Sequence, residues 1–235
     1  VYGGTASRAF RVLWMLEEIG EPYEVIPAKA QSDEIRAVNP SGKIPAMADG
    51  EHLLTDSVAI MTYLADRHGQ LTYPAGTIDR AHQDALIHML NDEFDSVLWT
   101  AARLNGRVPE ELRVPQVIPT LHWEFARNLD RLAERFEGPF LQGERMTVAD
   151  ILAVHCLNWA VLSRFPGENE TLRGYAKSLS EREAYVRARA RGVAGVDDVD
   201  PVDLLDLHEV GRVGQSDRRG EASAVRLGRS GAQIQ

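Results

Sequence analysis

Apolar positions in the first seventy residues switch between a period of two and a period near 3.6. Val1-Tyr2 reads as the end of a short strand, and Gly3 to Ala6 as a loop. Val12, Met15, Leu16 and Ile19 fall at i, i+3, i+4 and i+7, which predicts a helix over Ser7 to Ile19. Gly20 is a natural terminator and Pro22 bars continuation. Tyr23 to Ile26 alternates as a strand does, and Ser32 to Val38 is a weakly helical polar stretch. Lys43 to Ala48 and Glu51 to Leu54 form two strands across Asp49-Gly50, a strong hairpin signal. Asp56 to His68 reads as a helix with Ile60, Tyr63 and Leu64 on its apolar face and Gly69 as its stop. The order β-α-β-α-β-β-α predicts a mixed sheet with helices on both faces.

Residues 69–78 are punctuated by Gly and Pro and read as a linker. Strand signals then vanish. Leu86, Leu90, Phe94 and Val97 line one helical face, Phe125, Leu129, Leu132 and Phe136 a second, and Val148, Leu152, His155 and Trp159 a third. The expected fold class is therefore α/β followed by all-α: residues 1–68 as the sheet-containing domain, 79–192 as an all-helical domain. Residues 193–235 have no Lys and no aromatic residue, with frequent Gly and scattered Arg, and read as a disordered tail. A readthrough or frame-shifted end is the alternative.

Composition narrows the function classes. The chain has 235 residues and is 44% apolar, enough for one large or two ordinary domains. Its formal net charge of -9 argues against a nucleic-acid partner. No apolar run approaches the roughly 18 residues that span a bilayer. No secretory signal is visible, although the chain starts at Val1 rather than a methionine, which leaves a leader open. Cytoplasmic location is the simplest inference from these absences. The single cysteine, Cys156, excludes an internal disulfide framework and a C-x-x-C redox pair.

The candidate chemistry lies in Asn39-Pro-Ser-Gly-Lys-Ile-Pro45 and Asp56-Ser-Val-Ala-Ile60. Pro45 stands where a strand should run and has no N–H for a ladder. One reading is a cis peptide that turns the Ile44 backbone outward, so that its N–H and C=O pair with an extended peptide ligand. An edge-strand proline without a ligand is the other. Asp56 and Ser57 open a helix, whose free N–H groups and positive dipole end suit a carboxylate. Simple N-capping is compatible with that role. Lys43 suits a second carboxylate, or is a solvated surface lysine. A peptide-like ligand with carboxylates at both ends, such as glutathione, fits this set of groups.

These segments resemble the cytosolic glutathione S-transferases, serine-type bacterial members above all. The likeness covers about residues 1–192. It is carried by Ser7-Arg-Ala-Phe-Arg-Val-Leu-Trp-Met-Leu-Glu-Glu18 with Gly20-Glu-Pro-Tyr-Glu24, by the two segments above, and by Met146-Thr-Val-Ala-Asp-Ile151, similar to the family's helical-domain capping motif. The resemblance implies a thioredoxin-like N-terminal domain, glutathione as co-substrate with no metal, a hydrophobic electrophile, and a two-fold homodimer. It assigns Lys43, Ile44, Pro45, Asp56 and Ser57 to glutathione. Asp56 stands where the family usually has Glu, keeping the charge and shortening the reach.

Ser7 is the first choice for activating the thiol. A free thiol has a pKa near 8.5, and a donating hydroxyl at a helix N-terminus favours the thiolate. Thr5 and Tyr2 are the alternatives, Arg8 adds electrostatic support, and simple helix capping is the competing role for Ser7. Thr147-Val-Ala-Asp150 reads as a structural capping box. His155 and Cys156 read as core, since a metal needs more ligands than are visible. Trp99 and Arg103 sit where the electrophile would be faced. Two functions follow: conjugation of glutathione to an electrophilic carbon, with peroxidase or reductive side activities, or a non-catalytic binding or regulatory module of the same fold.

Overall fold

The computed structural model describes residues 1–167 and 169–192. The expected tail, 193–235, lies outside them. Helix α1 (Ala9–Ile19) is the hub of the N-terminal part, with every residue from Ala9 to Leu16 buried. It begins two residues later than the periodicity predicts, because Ser7 forms the preceding turn. The Ser7 hydroxyl donates to the Gly4 carbonyl at 2.8 Å and accepts from the Ala9 N–H at 3.1 Å. Gly20 ends the helix at φ 75°, its N–H donating to the Leu16 carbonyl.

The sheet is small and mixed. Strand β1 (Ala46–Asp49) pairs antiparallel with β2 (His52–Thr55), Ala46 opposite Thr55 and Asp49 opposite His52. On the other side of β1, Tyr2 bridges Ala46 antiparallel and Ile26 parallel. The strand expected over Tyr23 to Ile26 reduces to that bridge at Ile26. The strand expected from Lys43 begins only at Ala46, because the Lys43 carbonyl is taken by the Asn39 side chain at 2.8 Å and Pro45 has no N–H to offer. Helix α2 (Asp33–Val38) is short and buries Ile35. Helix α3 (Ser57–His68) packs on α1 through Ile60, Met61, Leu64 and Ala65. Tyr63 is not on that buried face. It is 37% exposed and donates its hydroxyl to Asp49 at 2.6 Å.

Beyond residue 77 the described structure is helical. Helices α4 (Ile78–Leu90) and α5 (Ser96–Ala102) are joined by a π-helical turn over Asn91–Asp95, and a second π turn, Arg103–Arg107, follows. The predicted stripe Leu86, Leu90, Phe94 and Val97 is buried throughout. Helix α6 (Ile118–Glu134) buries Leu121, Phe125, Leu129 and Leu132, and Phe125 meets Phe94 edge to face at 5.3 Å. Phe136 falls past the end of α6, where its ring packs on Tyr175. Helix α7 (Val148–Leu162) is the centre of this region and is apolar on nearly all sides. Helices α8 (Glu170–Ser180) and α9 (Glu183–Ala190) complete it.

Two polar devices hold these helices. Thr147 and Asp150 form the predicted capping box at α7. Asp150 Oδ2 accepts from the Thr147 N–H at 2.7 Å, and its Oδ1 accepts from the Leu141 N–H and the Tyr175 hydroxyl, each at 2.8 Å. Helix α9 is clasped to α1. Arg182 forks onto both oxygens of Glu18 at 2.7 Å, and Arg187 reaches Glu17 at 2.7 Å. Among the described residues no helix is long and apolar enough to cross a membrane.

Asp150→Ala strands two buried donors and the Tyr175 hydroxyl, so it should cost about 3 kcal/mol or more. Thr147→Ala removes only the cap and should cost about 1 kcal/mol. Urea unfolding followed by tryptophan fluorescence measures both, and equal losses would contradict this division of labour.

Candidate functional site

The loop before β1 is organised by Asn39. Its Oδ1 accepts from the Ser41 N–H at 3.2 Å and the Ser41 hydroxyl at 2.9 Å, while Nδ2 donates to the Lys43 carbonyl. Gly42 closes the turn at φ 65°, its N–H donating to Asn39, its carbonyl accepting from Gln31. The Ile44–Pro45 peptide is cis. Among the described residues, no hydrogen bond engages the N–H or C=O of Ile44. That leaves a short unpaired backbone edge immediately before β1. Lys43 is exposed, and its ammonium has no hydrogen-bond partner among the described residues.

The start of α3 lies beyond the hairpin. Asp56 caps it, Oδ1 accepting from the N–H groups of Val58 at 2.9 Å and Ala59 at 3.1 Å. The second carboxylate oxygen is without a hydrogen bond among the described residues. Asp56 holds φ 71° and ψ 126°, a conformation costly for a residue with a Cβ, on the order of 1–3 kcal/mol, and concentrated at functional sites. Ser57 is 3% exposed. Its hydroxyl oxygen accepts from Arg11 Nη1 at 3.2 Å. Since a guanidinium can only donate, the Ser57 proton must point away from Arg11.

Arg11 is the residue that sequence reasoning missed. It is 1% exposed and joins four elements. From α1 it reaches Ser57 at the start of α3, forms an ion pair with Asp95 in the first π turn, and meets His155 Nδ1 at 3.0 Å and Cys156 Sγ at 3.6 Å on α7. Arg8 grips the same carboxylate, with Nε at 3.1 and 2.9 Å from its two oxygens. Its guanidinium carbon lies 5.1 Å from the ring centres of both Trp99 and Trp159. A charged residue inside the otherwise apolar run Ala9 to Leu16 was the available signal. Its partners, Asp95 and His155, lie 84 and 144 positions away, beyond the reach of local patterning.

The charges in this cluster follow from burial and from Arg11. Burial pushes the Asp95 carboxyl up, but Arg11 and Arg8 outweigh it and hold it well below the usual carboxylate range. The His155 imidazole is driven well below its ordinary value by burial and by Arg11, against a hydrogen bond to the Ser7 backbone that favours the charged ring. The ring is therefore neutral, with Nδ1 accepting from Arg11. Burial pushes the Cys156 thiol up to about 12, so it is an inert core group. Two guanidiniums share one carboxylate, leaving net positive charge beside the N-termini of α1 and α3.

Of the predicted residues, Ser7 and Ser57 are linked through two side chains: the Ser7 backbone bonds His155, His155 bonds Arg11, and Arg11 bonds Ser57. Ile44, Pro45, Asp56 and Ser57 flank the β1–β2 hairpin. The Ser7 hydroxyl donates to the Gly4 carbonyl and accepts from the Ala9 N–H in the turn before α1. Thr5 is buried, its carbonyl accepting from Arg189 at 3.4 Å. Tyr2 is bound into the sheet. Trp99 stacks on Arg8, whereas Arg103 is exposed. Among the described residues, no group of three or more His, Cys, Asp or Glu is arranged to hold a metal ion.

Known proteins share this arrangement of elements. The pattern of the glutathione S-transferase N-terminal domain matches residues 6–67. Maleylacetoacetate isomerase of Rhizobium meliloti is 34% identical over 163 residues, 63% of this chain and 75% of that protein. Glutathione S-transferase GstA of Escherichia coli O157:H7 is 30% identical over 155 residues, 64% of this chain and 74% of that protein. In structure, the theta class glutathione S-transferase of Xanthomonas axonopodis pv. citri, crystallised with glutathione bound, superposes with a TM-score of 0.65 at 27% identity, covering 80% of this chain and 94% of that one. The chain belongs to the glutathione S-transferase family. Its N-terminal part is thioredoxin-like and its C-terminal part helical, as the sequence predicts.

His155 generates a pH prediction. The folded ring stays neutral while the unfolded one takes a proton near pH 6.5. Its contribution to stability is therefore full above about pH 6.5 and lost below it, at up to about 1.4 kcal/mol per pH unit. His155→Gln keeps an acceptor for Arg11 and should flatten the fall in urea-unfolding free energy between about pH 7 and pH 5. Superimposable slopes would mean that the imidazole is not held neutral.

Proposed function

We propose that this protein is a glutathione transferase, with residues 1–68 binding glutathione and 79–192 facing the electrophile. The observation that carries the reading is the pairing of an unengaged Ile44 backbone edge with a helix start whose Ser57 hydroxyl is aimed by Arg11. The cysteinyl backbone of glutathione pairs with Ile44 N–H and C=O as an added strand. The γ-glutamyl α-carboxylate takes the Ser57 N–H and hydroxyl at the positive end of α3. Its ammonium pairs with the free oxygen of Asp56, and Lys43 answers the glycyl carboxylate.

The thiol then lies at the start of α1. Ser7 turns its hydroxyl from Gly4 to the sulfur, and the helix end together with the Arg8–Arg11 charge favours the thiolate. The thiol proton leaves to solvent. The sulfur lone pair forms an S–C bond. In a substitution the leaving group departs with its bonding pair, and in an addition the displaced π pair is protonated. Binding both reactants side by side supplies much of the acceleration. A homodimer and a cytoplasmic setting belong to this proposal on family grounds. The engagement of the Ser7 proton by Gly4 favours one second reading, a binding module of the same fold without turnover.

Ser7→Ala should lower conjugation of 1-chloro-2,4-dinitrobenzene by about tenfold or more and raise the pKa of the bound thiol by about one unit or more, through loss of a hydrogen bond to a charged group. Retention on glutathione-agarose should persist. Unchanged turnover moves the role to Thr5 or Tyr2. Retention without turnover in the native protein selects the binding module, and no retention ends both readings.

Asp56→Asn separates capping from charge. Asparagine caps as well as aspartate and tolerates positive φ, so the melting temperature should hold. Affinity for glutathione should fall by about three- to tenfold with the lost ammonium partner. Calorimetric titration reads this, and an unchanged Kd would remove Asp56 from the site.

A further inference from the structure

Trp99 carries two arginines of different standing. One is Arg8, adjacent to Ser7 and gripped by Asp95. The other is Arg107, whose guanidinium carbon lies 5.6 Å from the Trp99 ring centre. Arg107 is exposed, and among the described residues no carboxylate pairs with it. Stacking on an indole fixes where a guanidinium sits without using its N–H donors. Arg107 thus presents an unused planar fork, the geometry that receives a carboxylate through two parallel hydrogen bonds. It is also the last residue of the π turn Arg103–Arg107, and such widened turns occur frequently at functional sites. The other π turn in the same helical rod places Asp95 on Arg8 and Arg11. One departure from α-helical spacing thus brings Asp95 to Arg8 and Arg11, and the other brings Arg107 to Trp99, the ring on which Arg8 also lies.

We propose that the electrophile carries an anionic group, a carboxylate on an aromatic or otherwise flat apolar body, and that Arg107 receives that group while the reacting carbon lies toward Ser7. Arg107 is then a specificity-determining residue. This rests on the transferase reading and adds to it the substrate class. For a representative substrate, 4-chloro-3-nitrobenzoate, the glutathione sulfur bonds to the ring carbon and chloride leaves with the C–Cl pair, while the carboxylate stays unreacted on Arg107.

The test is calorimetric binding of three compounds to the full chain: glutathione, its conjugate S-(4-carboxy-2-nitrophenyl)glutathione, and the uncharged twin S-(4-carbamoyl-2-nitrophenyl)glutathione. The carboxylate conjugate should bind about fivefold or more tightly than the carboxamide at low salt. That ratio should fall toward one in Arg107→Gln, whose fold is verified by thermal melting, and toward one in about 0.5 M sodium chloride. Equal affinities in the native protein, or a preference that survives Arg107→Gln, overturn the proposal while leaving glutathione binding intact. Failure of all three compounds to bind overturns the transferase reading itself, and this inference with it.

Discussion

A buried guanidinium sets the geometry of this protein. Arg11 emerges from α1, buried from Ala9 to Leu16, and is withdrawn almost wholly from water. A charge in that position is tolerated only when it is paired and hydrogen-bonded. Asp95 supplies the counter-charge, and Ser57 and His155 supply acceptors. Those partners come from the start of α3, the first π turn and α7. Pairing the two terminal nitrogens of Arg11 therefore joins the sheet-bearing part to the helical part at the residues that would bind the γ-glutamyl end of glutathione, while its buried Nε has no hydrogen-bond partner among the described residues. Removing one partner would leave an unanswered buried charge, so the cluster has little freedom to rearrange.

The proposed site inherits its order from that constraint. Ser57 can accept from Arg11 but not donate to it, so its own proton points away from the guanidinium. His155, kept neutral, ties the Ser7 backbone to the same guanidinium. Asn39 holds the Lys43 carbonyl inward, which separates the paired part of the loop from the open Ile44 edge. The α9 clasp on Glu17 and Glu18 secures the far end of α1. The site is thus held from several helices, with backbone groups and a helix end as its donors, an economical way to recognise an extended peptide with charged termini.

Much of this was legible in the sequence, for reasons that differ by residue. The helices with clean stripes, such as Leu86 to Val97 and Phe125 to Leu132, are local patterns and appear where the period places them. The Thr147–Asp150 box is a four-residue signal and forms as written. Asp49-Gly50 sets the hairpin register. Strand bounds were less legible, because Tyr2 pairs with the distant residues Ile26 and Ala46, and a proline with a side-chain clamp delays β1. Tyr63 fits an apolar face by spacing, yet its hydroxyl draws it outward to Asp49. The Arg11 cluster was invisible except as a charge in an apolar run, since its partners are scattered across the chain. Arg107 and Trp99 meet through a π turn, whose changed spacing no α-helical projection reproduces.

A crystal structure of the protein with glutathione bound would show whether Arg11 and Ser57 shape the ligand site. The γ-glutamyl carboxylate should lie within about 3.2 Å of both the Ser57 N–H nitrogen and its hydroxyl oxygen, with Arg11 still donating to that same oxygen and the sulfur at the start of α1. A ligand seated elsewhere, or a Ser57 hydroxyl turned away from it with the Arg11 contact broken, would contradict the claim.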